Sequence, residues 1–274
     1  MNEPKITDGM QEYPLASWRD FLSPPIMDFF ATSPAYIYRG QANWEWKLVS
    51  SLNRLEEKYP KRKNLAGSNP EFYEPTPFTE EEHLDAFRRA IQGRRGPNPP
   101  QLNDDECWAL GQHHGLATPL LDWTRSPFVA LFFAFAEEHI HDGEKNVEPE
   151  FRAVFALSTS VKFSDKGEEL KFISPLCDDN YPLISQMGLF VKIPRHTDLK
   201  DLESYVSVKF RDKNKSAILK KYKIPNTDKD RHECLVALNK MNINYMTLIP
   251  DISGAALHVN SLWEPGHEDS IAYI

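Results

Sequence analysis

The chain has 274 residues, of which 41% are hydrophobic and 12% aromatic, so it can bury one sizeable core. Its formal net charge of -8 argues against general binding to polyanions. The three cysteines, Cys107, Cys177 and Cys234, match no disulfide framework or metal-ligand spacing, which favours a reducing compartment. Neither a secretory leader nor an apolar run of membrane-spanning length is visible, so we expect a cytoplasmic protein that does not enter a membrane.

The first elements are predicted from caps and apolar patterning. Ser17 can cap a short helix, and residues 35–38 form a strand candidate that runs into the pair Arg39-Gly40. Thr79, with Glu82 three residues later, has the spacing of a capping box and predicts a helix with one apolar face. Loops are expected where Pro, Gly or charge is frequent, at 60–77, 93–100 and 141–149.

The middle of the chain contains the clearest helix. Asp104 is predicted to cap a helix that ends near Gly111. Ser126 supplies an N-cap oxygen, and Pro127 occupies the first helical position, where its missing N–H costs nothing. The segment 128–139 is apolar nearly all round, which predicts a buried helix.

Later elements do not alternate regularly between strand and helix. Strands are predicted at 151–157, 189–193 and 205–210, and Asp228 and Asp251 are predicted to begin two further helices. We therefore expect an α+β fold with a split or mixed sheet and flanking helices. No segment is a clear linker, so residues 35–274 are predicted to form a single domain after an N-terminal helical extension, 1–34.

Two segments combine side chains that suit an anionic or nucleotide ligand. Arg39 at the end of a strand can offer a planar fork of donors to phosphate or carboxylate, and Gly40 can let a ligand approach the backbone. The run 111–127 is expected to place polar groups on irregular backbone before a helix N-terminus, a favourable phosphate site. In this run Trp123 can stack on a ring of the ligand. Alternatively, Trp123 is a core residue and its neighbours cap and brace the following helix.

Other candidate features favour structural roles. His113 and His114 are adjacent and have no carboxylate or cysteine at chelating spacing, so no metal site is predicted; acid–base work by one of them is the alternative. The segments 185–191 and 232–233 read first as strand entry and helix packing. The segment 209–223 carries seven basic residues against Asp212 alone, which indicates a solvated helix face or, alternatively, a contact surface for nucleic acid.

Five stretches together resemble the FRG domain family, in the order in which that family has them. The match spans roughly residues 35–260, and Tyr38 stands where the family name has a phenylalanine. The stretches are Tyr38-Arg39-Gly40-Gln41, 112–118, Leu120-Leu121-Asp122-Trp123-Thr124 with 126–134, Gln186-Met187-Gly188-Leu189-Phe190 and 249–256.

A weaker resemblance is to mono-ADP-ribosyltransferases, which implies an ADP-ribosyltransferase-like fold and an arginine that holds NAD. Arg39-Gly40 is similar to the first motif of that class, and 122–134 is similar to the second. Gln186 falls near the third motif, where a catalytic glutamate is usual, so Glu233, Asp122 or a histidine would have to replace it.

These resemblances imply an NAD-dependent mono-ADP-ribosyltransferase, a toxin or phage-defence effector that modifies RNA, DNA or protein. NAD is then the substrate, the segment 209–223 is the place for a nucleic-acid acceptor, and an inhibitory protein is a further partner. The alternatives are a non-catalytic ligand-binding or protein-interaction module and a nuclease-type effector. The implied catalytic residues are Arg39, Asp122, His113 and Gln186, and the implied NAD-binding residues are Tyr38, Arg39, Gly40, Gln41, Thr118, Trp123 and Thr124.

Overall fold

The computed structural model describes residues 8–33, 35–59, 79–136, 140–142, 145–160, 170–175, 181–194, 201–209 and 218–263. The strands are β1 (Met10–Pro14), β2 (Tyr36–Gln41), β3 (Leu120–Thr124), β4 (Ile140–Asp142), β5 (Lys145–Val147), β6 (Phe151–Ser158), β7 (Lys171–Ile173), β8 (Gly188–Lys192) and β9 (Leu219–Pro225). The helices are a 3-10 helix (Trp18–Leu22), α1 (Pro24–Thr32), α2 (Ser51–Lys58), α3 (Glu80–Ala90), α4 (Asp104–His113), α5 (Pro127–Phe135), α6 (Tyr181–Ser185), α7 (Leu202–Lys209), α8 (Asp228–Lys240), α9 (Tyr245–Leu248) and α10 (Ile252–Ser261).

A seven-stranded mixed sheet forms the centre of the molecule, in the order β1-β9-β6-β2-β3-β8-β7. The pair β1–β9 is parallel, and the other neighbours in this sheet are antiparallel. β4 and β5 form a separate two-stranded sheet. Helices pack around the seven-stranded sheet, so the predicted α+β class with a mixed sheet is confirmed.

Apolar side chains cover both faces of the sheet. On one face α5, α8 and the 3-10 helix pack on residues such as Tyr38, Val154 and Tyr222. On the other face α7 packs on Leu121, Trp123 and neighbouring strand residues. In the described part of the chain, no helix combines the length and the apolar character needed to cross a membrane.

The predicted helix starts are largely confirmed. The Ser17 and Thr79 side chains accept from backbone N–H groups in the first turns of their helices, each within a full capping box. Ser126 caps α5 with Pro127 at its first position, and Asp251 caps α10. Two predicted caps are displaced by one residue, because Asn103 caps α4 and Thr227 caps α8.

Four predictions of local structure differ from the fold. The strand predicted at 205–210 is helix α7, whose buried residues Leu202, Tyr205 and Val206 have helical spacing; residue 210 lies outside the described residues. Helix α5 ends at Phe135, whereas the prediction extended it to residue 139; residues 137–139 lie outside the described residues. The run 111–127, which was predicted to have irregular backbone before α5, contains strand β3. The predicted loop 141–149 contains most of the β4–β5 pair, whereas 93–100 has no helix or strand, and 60–77 is not described.

The N-terminal part of the chain is not only helical. Besides the 3-10 helix and α1 it contains β1, which pairs in register with β9, so Met10 lies opposite Leu219. The division into an extension 1–34 and a domain 35–274 remains a prediction. Of the cysteines, Cys107 and Cys234 are buried and free, and Cys177 lies outside the described residues.

Candidate functional site

A pocket lies where β2 and β3 separate. These neighbouring strands share one register pair, Tyr38 with Thr124, whereas β2 pairs with β6 along its whole length. Beyond that pair the strands diverge and leave a pocket of about 260 Å³. Its lining residues are Tyr38, Arg39, Gly40, Asp122, Trp123, Thr124, Ala130, Phe133 and Gln186.

Arg39 bridges the gap between the two strands. One terminal nitrogen of its guanidinium donates to the backbone carbonyl of Asp122 at 2.6 Å and lies 3.6 Å from Asp122 Oδ2. Its Nε is buried without a hydrogen-bond partner. Burial lowers the pKa of Arg39 from its usual value, the Asp122 carboxylate opposes this, and the charge of Arg54 adds to it. An arginine remains charged under these conditions, so the pocket has a cation with unused donor capacity.

Asp122 is the carboxylate of the site. It is the exposed residue in the middle of β3, whose other residues are buried, and 65% of its side chain is accessible. Gln112 Nε2 at the end of α4 donates to Asp122 Oδ1 at 2.6 Å. Asp122 does not cap α5, because Ser126 does so. Among the described residues Asp122 is the only carboxylate that lines the pocket.

Gly40 lines the pocket, but its lack of a side chain is required by packing. A Cβ at this position would lie 1.9 Å from Ala130 O and 2.6 Å from Ala134 N, both in the backbone of α5. The glycine therefore lets helix α5 lie directly on strand β2. The expected close approach of a ligand is not needed to explain it.

The aromatic residues at the pocket belong mainly to the core. Trp123 is only 3% exposed and packs among Leu121, Leu189 and other residues of the α7 face. Tyr38 is also 3% exposed, and its ring packs edge-on against Phe30. Burial raises the pKa of Tyr38 to about 12. The structure therefore places the Trp123 ring in the core, which is the alternative we gave for it.

Thr124 and Gln186 tie together the elements around the pocket. The Thr124 hydroxyl donates to Gln186 O at 2.6 Å and accepts from Ser126 N at 3.0 Å, next to the start of α5. The Gln186 side chain donates to Leu248 O at 3.0 Å. Both residues line the pocket while bracing β3, α5 and α9 against one another.

Three of the predicted site residues do not line this pocket. Gln41 is the last residue of β2, and its amide donates to Lys47 O at 3.5 Å. Thr118 is fully buried, so it cannot touch a ligand directly; its hydroxyl donates to Gln112. His113 is exposed at the end of α4, where its ring packs against His114 with a centroid distance of 4.8 Å.

The other titratable candidates are also placed elsewhere. Glu233 pairs with Arg19 on the surface between α8 and the 3-10 helix, and it does not line the pocket. No group of three or more His, Cys, Asp and Glu residues in the described ranges is arranged to hold a metal ion.

The basic segment 209–223 is not one helix face. Lys209 ends α7, and 210–217 lie outside the described residues, whereas the remaining lysines belong to β9. Lys221 is 7% exposed, forms a 3.0 Å ion pair with Glu203 and lies over the Trp44 ring. Lys223 lies over the Phe151 ring at 3.9 Å. Lys221 is thus used within the fold, which leaves less of the segment for a nucleic acid.

Two residues of the site were not predicted from the sequence. Gln112 belongs to the motif 112–118, which gives no indication of its direct contact with Asp122. Arg54 on α2 is close enough for its charge to affect Arg39. Its exposed position on a charged helix gives no signal in the sequence that distinguishes it from other surface arginines.

Fold and pocket together define an α+β protein with an arginine–carboxylate pocket at the gap between two strands. Residues 34–143 match the family model described as FRG domain, which covers β2 and β3 and hence most of the pocket. The match agrees with the FRG resemblance predicted from the motifs, over these residues. Comparison with curated proteins found no match, and neither did comparison with solved structures.

Proposed function

We propose that this protein is an NAD-dependent mono-ADP-ribosyltransferase and that the pocket between β2 and β3 binds NAD. The observation that supports this most is Arg39, a partly buried guanidinium with an unpaired Nε, 3.6 Å from the carboxylate of Asp122. Burying a charged group is costly, and an anionic ligand that pairs with the accessible part of the guanidinium offsets that cost. Arg54 nearby adds positive charge, which suits a pyrophosphate.

The residues of the pocket fit one end of an NAD molecule. Arg39 would hold the pyrophosphate, with Arg54 contributing long-range attraction. The pocket volume of about 260 Å³ is slightly below the usual range for small-molecule sites, roughly 300–1,000 Å³, so it suits part of a dinucleotide. NAD would supply the ADP-ribosyl group and its labile glycosidic bond to nicotinamide. Tyr38, Thr124 and Gln186 would bound the space in which that end of the ligand lies.

Asp122 would be the catalytic carboxylate of the reaction. Its exposed Oδ2 can accept a hydrogen bond from a ribose hydroxyl or a proton from the attacking group of an acceptor. Its negative charge can also stabilise positive charge that develops on the ribose. The acceptor would be RNA, DNA or protein, as in a toxin or phage-defence effector, with an inhibitory protein as a further partner.

A direct test is incubation of the purified protein with labelled NAD and cell lysate, followed by separation of protein and nucleic acid. We expect label in one of the two fractions. Arg39→Ala should lower the rate by about 10²–10³-fold, because a donor to developing charge is lost. Arg39→Lys should recover little, since an ammonium cannot form the same planar contacts. Arg94→Ala, at an exposed turn after α3, is the matched control and should keep the wild-type rate.

Asp122→Asn separates charge from shape at the same site. If Asp122 acts through its charge, the rate should fall by about 10²-fold or more while the melting temperature stays unchanged, because an asparagine occupies the same space. A wild-type rate for Asp122→Asn would show that the carboxylate has no part in the reaction.

A non-catalytic ligand-binding module is the second candidate, and one observation favours it. The position near the third transferase motif is Gln186, whose amide is already bonded to Leu248, and Glu233 lies away from the pocket. In this case calorimetry should show NAD or pyrophosphate binding that Arg39→Ala weakens, with no label transferred. A nuclease would instead degrade RNA or DNA without NAD, and the exposed His113–His114 pair gives that alternative no geometric support.

A further inference from the structure

The Asp122 carboxylate is held in place although most of it is exposed. Its Oδ1 accepts from Gln112 Nε2 at 2.6 Å, and its own carbonyl accepts from Arg39 at 2.6 Å. A carboxylate free to rotate beside an arginine normally forms short bidentate contacts of about 2.7–2.9 Å. Here the nearest approach of Arg39 to the carboxylate is a single 3.6 Å contact. Something other than Arg39 therefore sets the orientation of Asp122.

Gln112 can do this because its own amide group is fixed. Leu120 N donates to the Thr118 hydroxyl at 3.3 Å, and the hydroxyl donates to Gln112 Oε1. An ionised carboxylate can only accept, so the amide NH₂ of Gln112 must face Asp122 and its amide oxygen faces Thr118.

Thr118 is itself anchored. It is fully buried, and its N–H donates to Ser51 Oγ at 2.9 Å at the first residue of α2. Ser51 Oγ in turn donates to Thr118 O at 3.3 Å. A chain of hydrogen bonds, through the backbone and hydroxyl of Thr118 and the amide of Gln112, thus connects the start of α2 to the exposed carboxylate on β3.

We propose that Gln112 is the positioning residue of this site, which keeps the Asp122 carboxylate away from full pairing with Arg39. The guanidinium then retains charge and donors for an anionic ligand, and Asp122 Oδ2 remains free to act on that ligand. The effect of this positioning on a ligand rests on the proposed function. The coupling between the three side chains is a property of the protein without ligand.

That coupling predicts a spectroscopic change in the ligand-free protein. We expect Gln112→Leu to shift the NMR signal of the Arg39 Nε–H group, identified by its disappearance in Arg39→Lys, because the freed carboxylate swings toward the guanidinium. In an Asp122→Asn background the same substitution should leave that signal in place, since no charge remains to pair. A merely structural role for Gln112 would move the signal equally in both backgrounds.

The effect on the ligand follows the same logic. Gln112→Leu should weaken NAD binding about tenfold by calorimetry, within the range for residues of one hydrogen-bond network, and the loss should vanish when Asp122 is asparagine. An Arg39 signal that does not move in Gln112→Leu, or moves equally in both backgrounds, would overturn the positioning role, whether or not NAD binds. A wild-type protein that binds no NAD while the Arg39 signal responds as expected would overturn the proposed function alone.

Discussion

Gly40→Ala gives a sharp test of the packing between β2 and α5. The added Cβ would lie 1.9 Å from Ala130 O and 2.6 Å from Ala134 N, and neither backbone atom can rotate away. The strand and the helix must therefore separate, which disturbs the core around Tyr38. Overpacking usually costs about 1–3 kcal/mol and sometimes more, and these distances place Gly40→Ala at about 3 kcal/mol or above.

For a chain of this size a loss of about 3 kcal/mol lowers the melting temperature by roughly 6–12 °C, which calorimetry or circular dichroism can measure. Gly93→Ala is the control, because that glycine has φ +73° and no neighbour within 4 Å. It should cost only about 1–2 kcal/mol of backbone strain. A Gly40→Ala protein that has the wild-type melting temperature but no longer binds ligand would refute the packing argument. Such a result would favour close ligand approach as the reason for the glycine.

Three further predictions concern buried groups. Trp123→Ala should lower the free energy of unfolding by about 3–5 kcal/mol in chemical denaturation, and Trp123→Phe by much less; lost ligand affinity at wild-type stability would contradict a core role. Glu203→Gln leaves the Lys221 ammonium without its anion and should cost about 3–5 kcal/mol. The double change Glu203→Gln with Lys221→Met keeps an oxygen for Leu48 N and removes the unpaired cation, so it should cost much less; equal losses in both proteins would argue against the ion pair. The pKa of Tyr38 is raised to about 12, so as pH rises from 10 to 12 the unfolded phenol ionises first and stability should fall by up to about 3 kcal/mol. Tyr38→Phe should show a shallower fall in denaturation curves over that range, and an unchanged slope would show that this phenol does not contribute.

Local signals in the sequence predicted four helix starts correctly and two more to within one residue. Ser17, Thr79, Ser126 and Asp251 cap their helices through short-range contacts, which a sequence displays directly. Arg39 and Asp122 lie far apart in the chain, and only the FRG-like motifs indicated that both belong to one site. Their role in a reaction is not tested by the fold and remains a proposal.

The errors came from contacts between distant parts of the chain. The lysines of β9 indicate a surface segment by composition, but Lys221 is buried against Glu203 of α7. Residues 205–210 have the side chains of a strand, yet α7 packs its buried face against the sheet. The reason for Gly40 lies in α5, about ninety residues later, where only the packed helix shows that a Cβ cannot fit. Sequence patterns carry no measure of such distances.

The parallel pairing of β1 with β9 has a consequence for any shortened form of this protein. The family match begins at residue 34, but β1 (Met10–Pro14) covers the outer side of β9. A chain begun at residue 34 would leave the N–H and C=O groups along that side of β9 unpaired. Exposed strand edges recruit other strands. Such a protein is expected to self-associate through β9, and a peptide with the sequence of residues 8–16 should suppress that association by restoring the missing neighbour.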